Sequence, residues 1–401
     1  MKFAGQYEVK SFKVYQTPDL GIDLGSTFVE LEIFENIFSS SLSVRATIID
    51  TLDYITLIPI IGQETVELEL EMVTESDEDP IDPIKLDLVI YNITNIEREG
   101  ESLSYVLDMT TKDFIVNFEK KICTGHKDES ASSIVRKAFN ELKSDKGLNL
   151  TTSDDSQSLV VPNMTPFRAI NWLKNKSFSL THSAPYYFFE TAKEYRYKPL
   201  LEMASASPVK SFSYSIPNSP NAADEELRIL SWNVISKFSV LDNIIDGLYK
   251  TKARTVDLVG RTYDQFSYDY WDGSYKPKLA KNRLQSFGAY NYSPSNEYLL
   301  PENYLNPYQQ DKFYLQSKSN EQLFKNFKIK INVFGDTRIC CGDVLELIFP
   351  EFMLPEENLG PEPDKNYSGN WLVVAMKHSF GRREYTTTME LVKDGSGVGY
   401  G

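Results

Sequence analysis

The side chains that could carry chemistry in this chain are three histidines, three cysteines and 57 acidic residues, and their spacing supports little of it. His126, His182 and His378 lie far apart and lack the two-histidine helical spacing of a zinc peptidase. His378 follows an alternating stretch, Trp371 to Lys377, and is expected as a barrel-end or interface residue, not as a ligand or base. The cysteines form no disulfide framework and no zinc spacing, which fits folding in a reducing compartment. Adjacent Cys340 and Cys341, if on a strand, would point to opposite faces, one buried and one exposed. No Walker loop and no Gly-x-Ser-x-Gly elbow occurs, and the glycines from Gly395 to Gly401 precede no helix that could complete a phosphate cradle. A glycosidase-type carboxylate pair is a spatial feature that spacing cannot reveal. Thr74 to Pro83 carries Glu75, Asp77, Glu78, Asp79 and Asp82 without the glycine of an EF-hand loop, so a solvated loop is expected. The residues predict no enzyme, no cofactor and no metal site.

Two other groups have the chemistry of surfaces. Glu30 and Glu32 alternate with Val29, Leu31 and Ile33, and Glu67, Glu69 and Glu71 alternate with Val66, Leu68, Leu70 and Met72. A two-residue period places each acid on the wet face of a half-buried strand. The second group lies between Asp269 and Gln310, where Tyr270, Trp271, Tyr275, Tyr290, Tyr292, Tyr298, Tyr304 and Tyr308 sit among Asn, Ser and Pro without a period. Long irregular loops tend to be functional, and Tyr and Trp supply contact area at low entropic cost, so a partner contact is expected there. The competing expectation is that these rings pack on the chain's own barrel.

The elements that must position these residues are mostly strands. At 401 residues the chain has room for two to four domains at roughly 150 residues each. Lys and Arg number 42 against 57 acids, 42 − 57 = −15, a balance that disfavours general binding to nucleic acid. No run of about 18 apolar residues is present and no membrane insertion is expected; the N-terminus lacks the apolar stretch of a signal peptide. Strands are predicted over 28–34, 42–48, 66–72, 84–93 and 103–109, which with intervening Gly, Pro and Asp indicates an antiparallel barrel or sandwich. The period then changes. Ile134, Val135, Ala138, Phe139 and Leu142 share a helical stripe, and Thr165-Pro166 reads as an N-cap and first helical position before Phe167, Ile170 and Leu173. A hairpin over 186–191 and 195–201 completes a small α+β unit. Strand grammar returns near 230–240 and 253–258 and resumes over 327–333, 344–349, 371–377 and 385–392.

The fold class is therefore mainly β with an α+β insertion: two tube-like antiparallel β-barrels plus smaller α+β parts. The expected division is a first barrel over 1–118, a middle domain over 119–226, a second barrel over 227–268 and 311–394, the irregular Tyr-rich insertion 269–310, and a flexible tail 395–401. The strands of 28–112 and 227–392 are expected to form two superposable barrels that do not share one continuous sheet, with the inserted helices packed outside them.

Local phrases resemble one family. Ile48-Ile49-Asp50 through Ile61-Gly62-Gln63-Glu64-Thr65-Val66-Glu67-Leu68 resembles the first barrel of baseplate hub proteins of contractile-tailed phages, a family shared with the N-terminal part of type VI secretion spike proteins. Met164 to Leu173, followed by Tyr186 to Thr191 and Tyr195 to Leu200, resembles its middle helix and hairpin. Gly335 to Leu345 with Gly342-Asp343, then Ser368 to Val374 through His378 and Tyr385-Thr386-Thr387, resembles its closing barrel. These phrases are colinear over roughly 25–394.

The resemblance implies a structural hub, a homotrimeric ring in which two barrels per chain adapt a hexameric tail tube to a trimeric central spike. Two similar barrels let a three-fold oligomer present six quasi-equivalent surfaces. Implied partners are the spike, tail tube or tube-initiator proteins, a tape-measure protein and baseplate wedge proteins, with DNA only in transit; the place is the virion baseplate, assembled in the host cytoplasm. No OB-fold or needle follows Val392, so the spike is expected as a separate chain. Glu30, Glu32, Glu67, Glu69 and Glu71 become candidates for an acidic lumen or an interface. The alternatives are the hub-like tip of a non-contractile tail and, from another class, a glycan-binding or carbohydrate-active β-protein.

Overall fold

The computed structural model describes residues 4–17, 19–57, 60–73, 82–100, 102–182, 184–215, 224–257, 261–272, 275–284, 296–301, 310–351, 363–382 and 384–395. The acidic loop lies largely outside these residues, as does most of the glycine-rich tail.

The first region comprises β1 (Tyr7–Thr17), β2 (Leu20–Asp23), β3 (Phe28–Asn36), β4 (Ser43–Asp50), the short α1 (Tyr54–Leu57), β5 (Thr65–Met72), β6 (Ile84–Glu99) and β7 (Ser102–Thr111). Alternation drives the assembly: Leu31 and Ile33, Val44, Ala46 and Ile48, Val66, Leu68 and Leu70, and Leu107 and Met109 all face one core. The sequence missed β1 because a bulge between Val9 and Ser11 shifts its register and leaves Ser11 and Phe12 both buried. A bulge adds one residue to one strand and breaks the two-residue period.

The middle region contains α2 (Lys112–Glu119), β8 (Ile122–Glu129), α3 (Ala131–Asn140), β9 (Leu148–Leu150), β10 (Gln157–Met164), α4 (Pro166–Lys174), β11 (Tyr186–Glu190), β12 (Tyr195–Pro199) and α5 (Leu200–Ala204). Helices α3 and α4 fill a core of their own with the rings of β11 and β12, outside the first barrel. Ser130 caps α3, its Oγ accepting from the Ser133 N–H. Thr165 precedes α4 without a side-chain cap; the Phe167 N–H instead donates to Asn117 Oδ1 on α2 at 2.8 Å.

The last region runs β13 (Lys210–Ser213), β14 (Ile229–Ser236), α6 (Val240–Ile245), β15 (Lys250–Asp257), β16 (Thr262–Asp269), β17 (Asn296–Pro301), α7 (Gln310–Asn326), β18 (Phe327–Phe334), β19 (Val344–Ile348), β20 (Gly369–Gly381) and β21 (Tyr385–Lys393). Strands β13, β19, β20, β21, β18 and β14 wrap a second core, and a bridge between Ser213 and Arg228 joins the two ends of the wall. Strands β15, β16 and β17 form a separate three-stranded sheet beside α7, so neither they nor α7 belong to the barrel wall expected over 227–268 and 311–394. The insertion is also less irregular than expected, since β17 pairs parallel with β15.

The expectation of two unshared sheets is overturned. Ala375 to Gly381 of β20 pair with Asn36 to Glu30 of β3, and one 13-stranded sheet runs β14-β18-β21-β20-β3-β4-β7-β6-β5-β1-β2, with β13 and β19 attached off this path. The reason lies in strand length. β20 has 13 residues and β19 only 5, so β19 covers Gly369 to Leu372 and leaves the rest of that edge open. An open edge is a row of unmet donors and acceptors, and β3 meets them. Two hydrophobic cores remain on the shared sheet, and Phe380 and Tyr385 from β20 and β21 belong to the first.

Candidate functional site

The five acids picked out by alternation fall into two separate groups. On β3, Glu30 is exposed and Glu32 half-buried, at the place where the two barrels share their sheet. Glu32 sits in register with Ser379 on one side and Arg45 on the other, and pairs with the Lys377 ammonium of β20 across the seam. Arg45 in turn pairs with Asp108 at 2.9 Å. Glu67, Glu69 and Glu71 lie on β5, four ladders away through β4, β7 and β6. Glu71 meets Lys10 at 2.9 Å, Glu69 meets Lys85 at 3.0 Å, and Glu67 accepts from the Tyr15 hydroxyl at 3.3 Å. Both faces thus carry cations beside their acids.

The aromatic candidates turn inward where they are described. Tyr270 is 0% and Tyr275 7% exposed, both within the second core, and Trp271 packs against that core and stacks on Tyr249. The Arg283 guanidinium lies 4.4 Å over the Tyr270 ring. Asp394, fully buried just after β21, holds this segment as a clamp: it accepts from the Tyr275 hydroxyl at 2.7 Å and from the N–H groups of Lys278, Leu279 and Ala280. Tyr298 lies on β17 opposite Ala253. Tyr290, Tyr292, Tyr304 and Tyr308 lie outside the described residues. The rings of Tyr270 and Tyr275 are therefore committed to the chain's own core, with Trp271 half-buried against it.

The groups that sequence reasoning missed lie at the junction of the three regions. Glu35 falls in the same phase of β3 as Leu31 and Ile33 and is 2% exposed. Its Oε1 accepts from the Ala192 N–H of the middle region at 2.7 Å and its Oε2 from the Cys341 N–H of the second barrel at 2.9 Å. Burial outweighs these two donors and raises its pKa from 4.5 to about 7. Glu190, also buried, reaches back to the first barrel: its Oε2 accepts from the Leu42 N–H and the Thr111 hydroxyl, and its Oε1 from Lys146 Nζ at 2.7 Å. Arg196 of β12 donates to Asp343 Oδ1 at 2.6 Å and to the Cys341 carbonyl at 3.0 Å. Gly342 closes the junction with φ of +87°, and a Cβ there would lie 2.9 Å from the Phe189 ring. The signal for Glu35 was present in the sequence as an acid on the apolar phase of a strand; Glu190 had the same signal as the end of the buried run Tyr186 to Phe189.

Two smaller expectations are corrected here. Cys340 and Cys341 are both buried, because they lie in the turn before β19 and not on a strand, and burial pushes both thiols well up. His378 lies inside β20, 1% exposed, with Nδ1 hydrogen-bonded to the Tyr385 hydroxyl at 2.6 Å; burial lowers its pKa to about 4. It is a neutral core residue. Among the described residues, no group of three His, Cys, Asp or Glu is placed to hold a metal ion, and no helix is long and apolar enough to cross a membrane.

No family model and no curated protein matches the sequence. Solved structures do match the fold. A tail protein from Neisseria meningitidis MC58 superposes with a TM-score of 0.57 at 12% identity, over 97% of this chain and 97% of that one. The 43 kDa tail protein of prophage MuSo2 from Shewanella oneidensis superposes with a TM-score of 0.59 at 8% identity, over 96% of this chain and 99% of that one. The chain shares its fold with these phage-tail proteins over almost its whole length, in line with the resemblance to baseplate hubs.

Proposed function

We propose that this chain is a structural component of a phage-type tail, a hub that forms a homotrimeric ring between tail tube and central spike and encloses part of the DNA conduit. The observation that carries this reading is end-to-end agreement of fold with two tail proteins, since matching over nearly the full length of both chains places the same arrangement of parts in each. The continuous sheet adds physical support. A wall in which two cores share one hydrogen-bonded sheet gives each protomer two related blocks fixed in relative position, as a three-fold ring with six-fold-like surfaces requires.

In this reading the role is mechanical and not enzymatic, the partners are the spike, the tube or tube-initiator, tape-measure and wedge proteins, and the location is the virion baseplate after assembly in the host cytoplasm. The tip of a non-contractile tail would use the same architecture. Glycan binding has less support, because Tyr270 and Tyr275 of the aromatic loop on which it rested are buried in the chain's own core. Glu30 and Glu32, beside the seam, are the better candidates for the conduit wall; Glu67, Glu69 and Glu71 are better placed to meet neighbours near the far end of the sheet. Native mass measurement of the purified chain, alone and with the spike chain of the same tail, tests the assignment. Three copies of this chain per spike trimer are expected. A chain that stays monomeric and ignores the spike contradicts it.

A further inference from the structure

We propose that the groove bordered by the turn after β3, β11, α7 and β18 is a docking site for an acidic segment of a partner protein, which seats one apolar side chain in it. This goes beyond the hub reading and stands whether or not the chain forms a ring. The groove lies where the three regions of the chain meet. Its walls include Tyr187, Leu200, Phe324 and Val392, and they enclose a cavity of about 30 Å³. That is room for the end of one side chain, well below the roughly 300 Å³ or more of a small-molecule site.

Phe38 gives the groove an exposed apolar rim. Ile37 is buried in the second core and its N–H donates to the Val374 carbonyl at 3.0 Å, while the Phe38 N–H donates to Asn36 Oδ1 at 2.9 Å. The turn is thereby fixed with the Phe38 ring outward, 56% exposed and in a T-shaped contact with Tyr187, centroids 5.5 Å apart. One exposed phenylalanine is ordinary. A ring held beside an apolar pit is the arrangement in which a partner's anchor side chain is gripped.

The charges around the pit select the occupant. Glu321 of α7 is the one carboxylate in the wall among the described residues, and Lys318 and Lys325 already share it at 3.1 and 3.6 Å. Lys328 also lines the groove, and Lys174, half-buried at the end of α4, lies within electrostatic reach of Glu321 and Lys318. Neither of these two ammonium groups makes a hydrogen bond or ion pair among the described residues. Burial lowers the Lys174 pKa, and the pull of Glu321 does not offset it. The outlying acids Glu202 and Glu390 each have a lysine of their own, Lys198 at 3.9 Å and Lys330 in register. Four lysines thus face one carboxylate in a chain whose net charge is −15. An acidic peptide supplies the missing carboxylates together with the apolar side chain.

Fluorescence anisotropy of the labelled peptide Asp-Glu-Leu-Phe-Glu-Asp with the purified full chain, combined with thermal unfolding, tests the site. A Kd below about 100 μM is expected, and the same peptide with lysine for each acid, or an oligothymidylate of equal length, should bind more weakly. Phe38→Ala is expected to weaken binding by about tenfold with the unfolding midpoint in place, because the ring is exposed. Lys325→Glu with Lys328→Glu should abolish it, whereas Lys121→Glu with Lys127→Glu, the same change of charge at β8, should leave it intact. Lys174→Met should weaken binding without lowering the midpoint, since it removes a half-buried cation that has no partner. A peptide that does not bind, binding that ignores Phe38 and these lysines, or tighter binding of the oligonucleotide overturns the assignment. Binding that appears only after Glu75, Asp77, Glu78, Asp79 and Asp82 are changed to Ser makes the chain's own acidic loop the occupant and also overturns it. The hub reading survives each of these results.

Discussion

The outer face of β5 and the junction beneath β3 both present carboxylates, and the two regions place them in opposite surroundings. Glu67, Glu69 and Glu71 stand on a wet face beside Lys10 and Lys85, with water to screen every charge. Glu35 and Glu190 are buried, and each accepts donors from another region of the chain. The first set can be exchanged for other polar groups at little cost to the fold, which frees it for surface roles. The second set fixes how the barrels and the middle region sit against each other. In this molecule the number of acids says little; the phase of each on its strand decides what it does.

The sharpest way to break this contrast is Glu190→Ala, which strands the Leu42 N–H and the Thr111 hydroxyl in a buried place and leaves the Lys146 ammonium with the Thr191 carbonyl in place of its carboxylate. A loss of about 3–5 kcal/mol in unfolding free energy is expected by urea titration; a loss under about 1 kcal/mol would remove Glu190 from the framework.

Glu35 offers a pH test of the same region. Its pKa of about 7 in the folded state lies above the ordinary 4.5, so between those values the folded chain binds more protons than the unfolded one. Its contribution to stability is fully present below pH 4.5 and is lost as pH rises through 7. Glu35→Gln should flatten that part of the profile, and equal slopes from pH 5 to 8 in the two proteins would contradict the assignment.

The seam is intermediate. Lys377→Met against Glu32→Gln in a double-mutant cycle should give a coupling of about 1 kcal/mol or less, since the lysine is 35% exposed. The smallest effect is expected on β5, where changing Glu67, Glu69 and Glu71 together to Gln should shift stability by no more than roughly 0.5 kcal/mol per site. A large loss there would erase the distinction between the two regions.

How far these features were legible follows from the same physics. Strict alternation revealed β3, β4, β5 and β18, and the helical stripe with Thr165-Pro166 located α4 at Pro166–Lys174. α7 was invisible because much of its buried face is polar: Ser319, Asn320, Gln322 and Asn326 are all buried, so its apolar period is broken. The shared sheet was invisible for a different reason. Pairing of β20 with β3 joins residues more than 330 positions apart, and no local pattern carries that information. The burial of Tyr270 and Tyr275 was not legible because aromatic content alone does not distinguish a partner surface from a core; Asp394, which holds Tyr275 inside, lies 119 residues away.

Electron cryo-microscopy of intact tail particles that contain this chain tests the central reading most directly. Three copies in a ring at the tip of the tube are expected, with the β3 and β20 face beside the channel. Particles in which the chain is absent from the axis, or sits as isolated copies on the periphery, would contradict it.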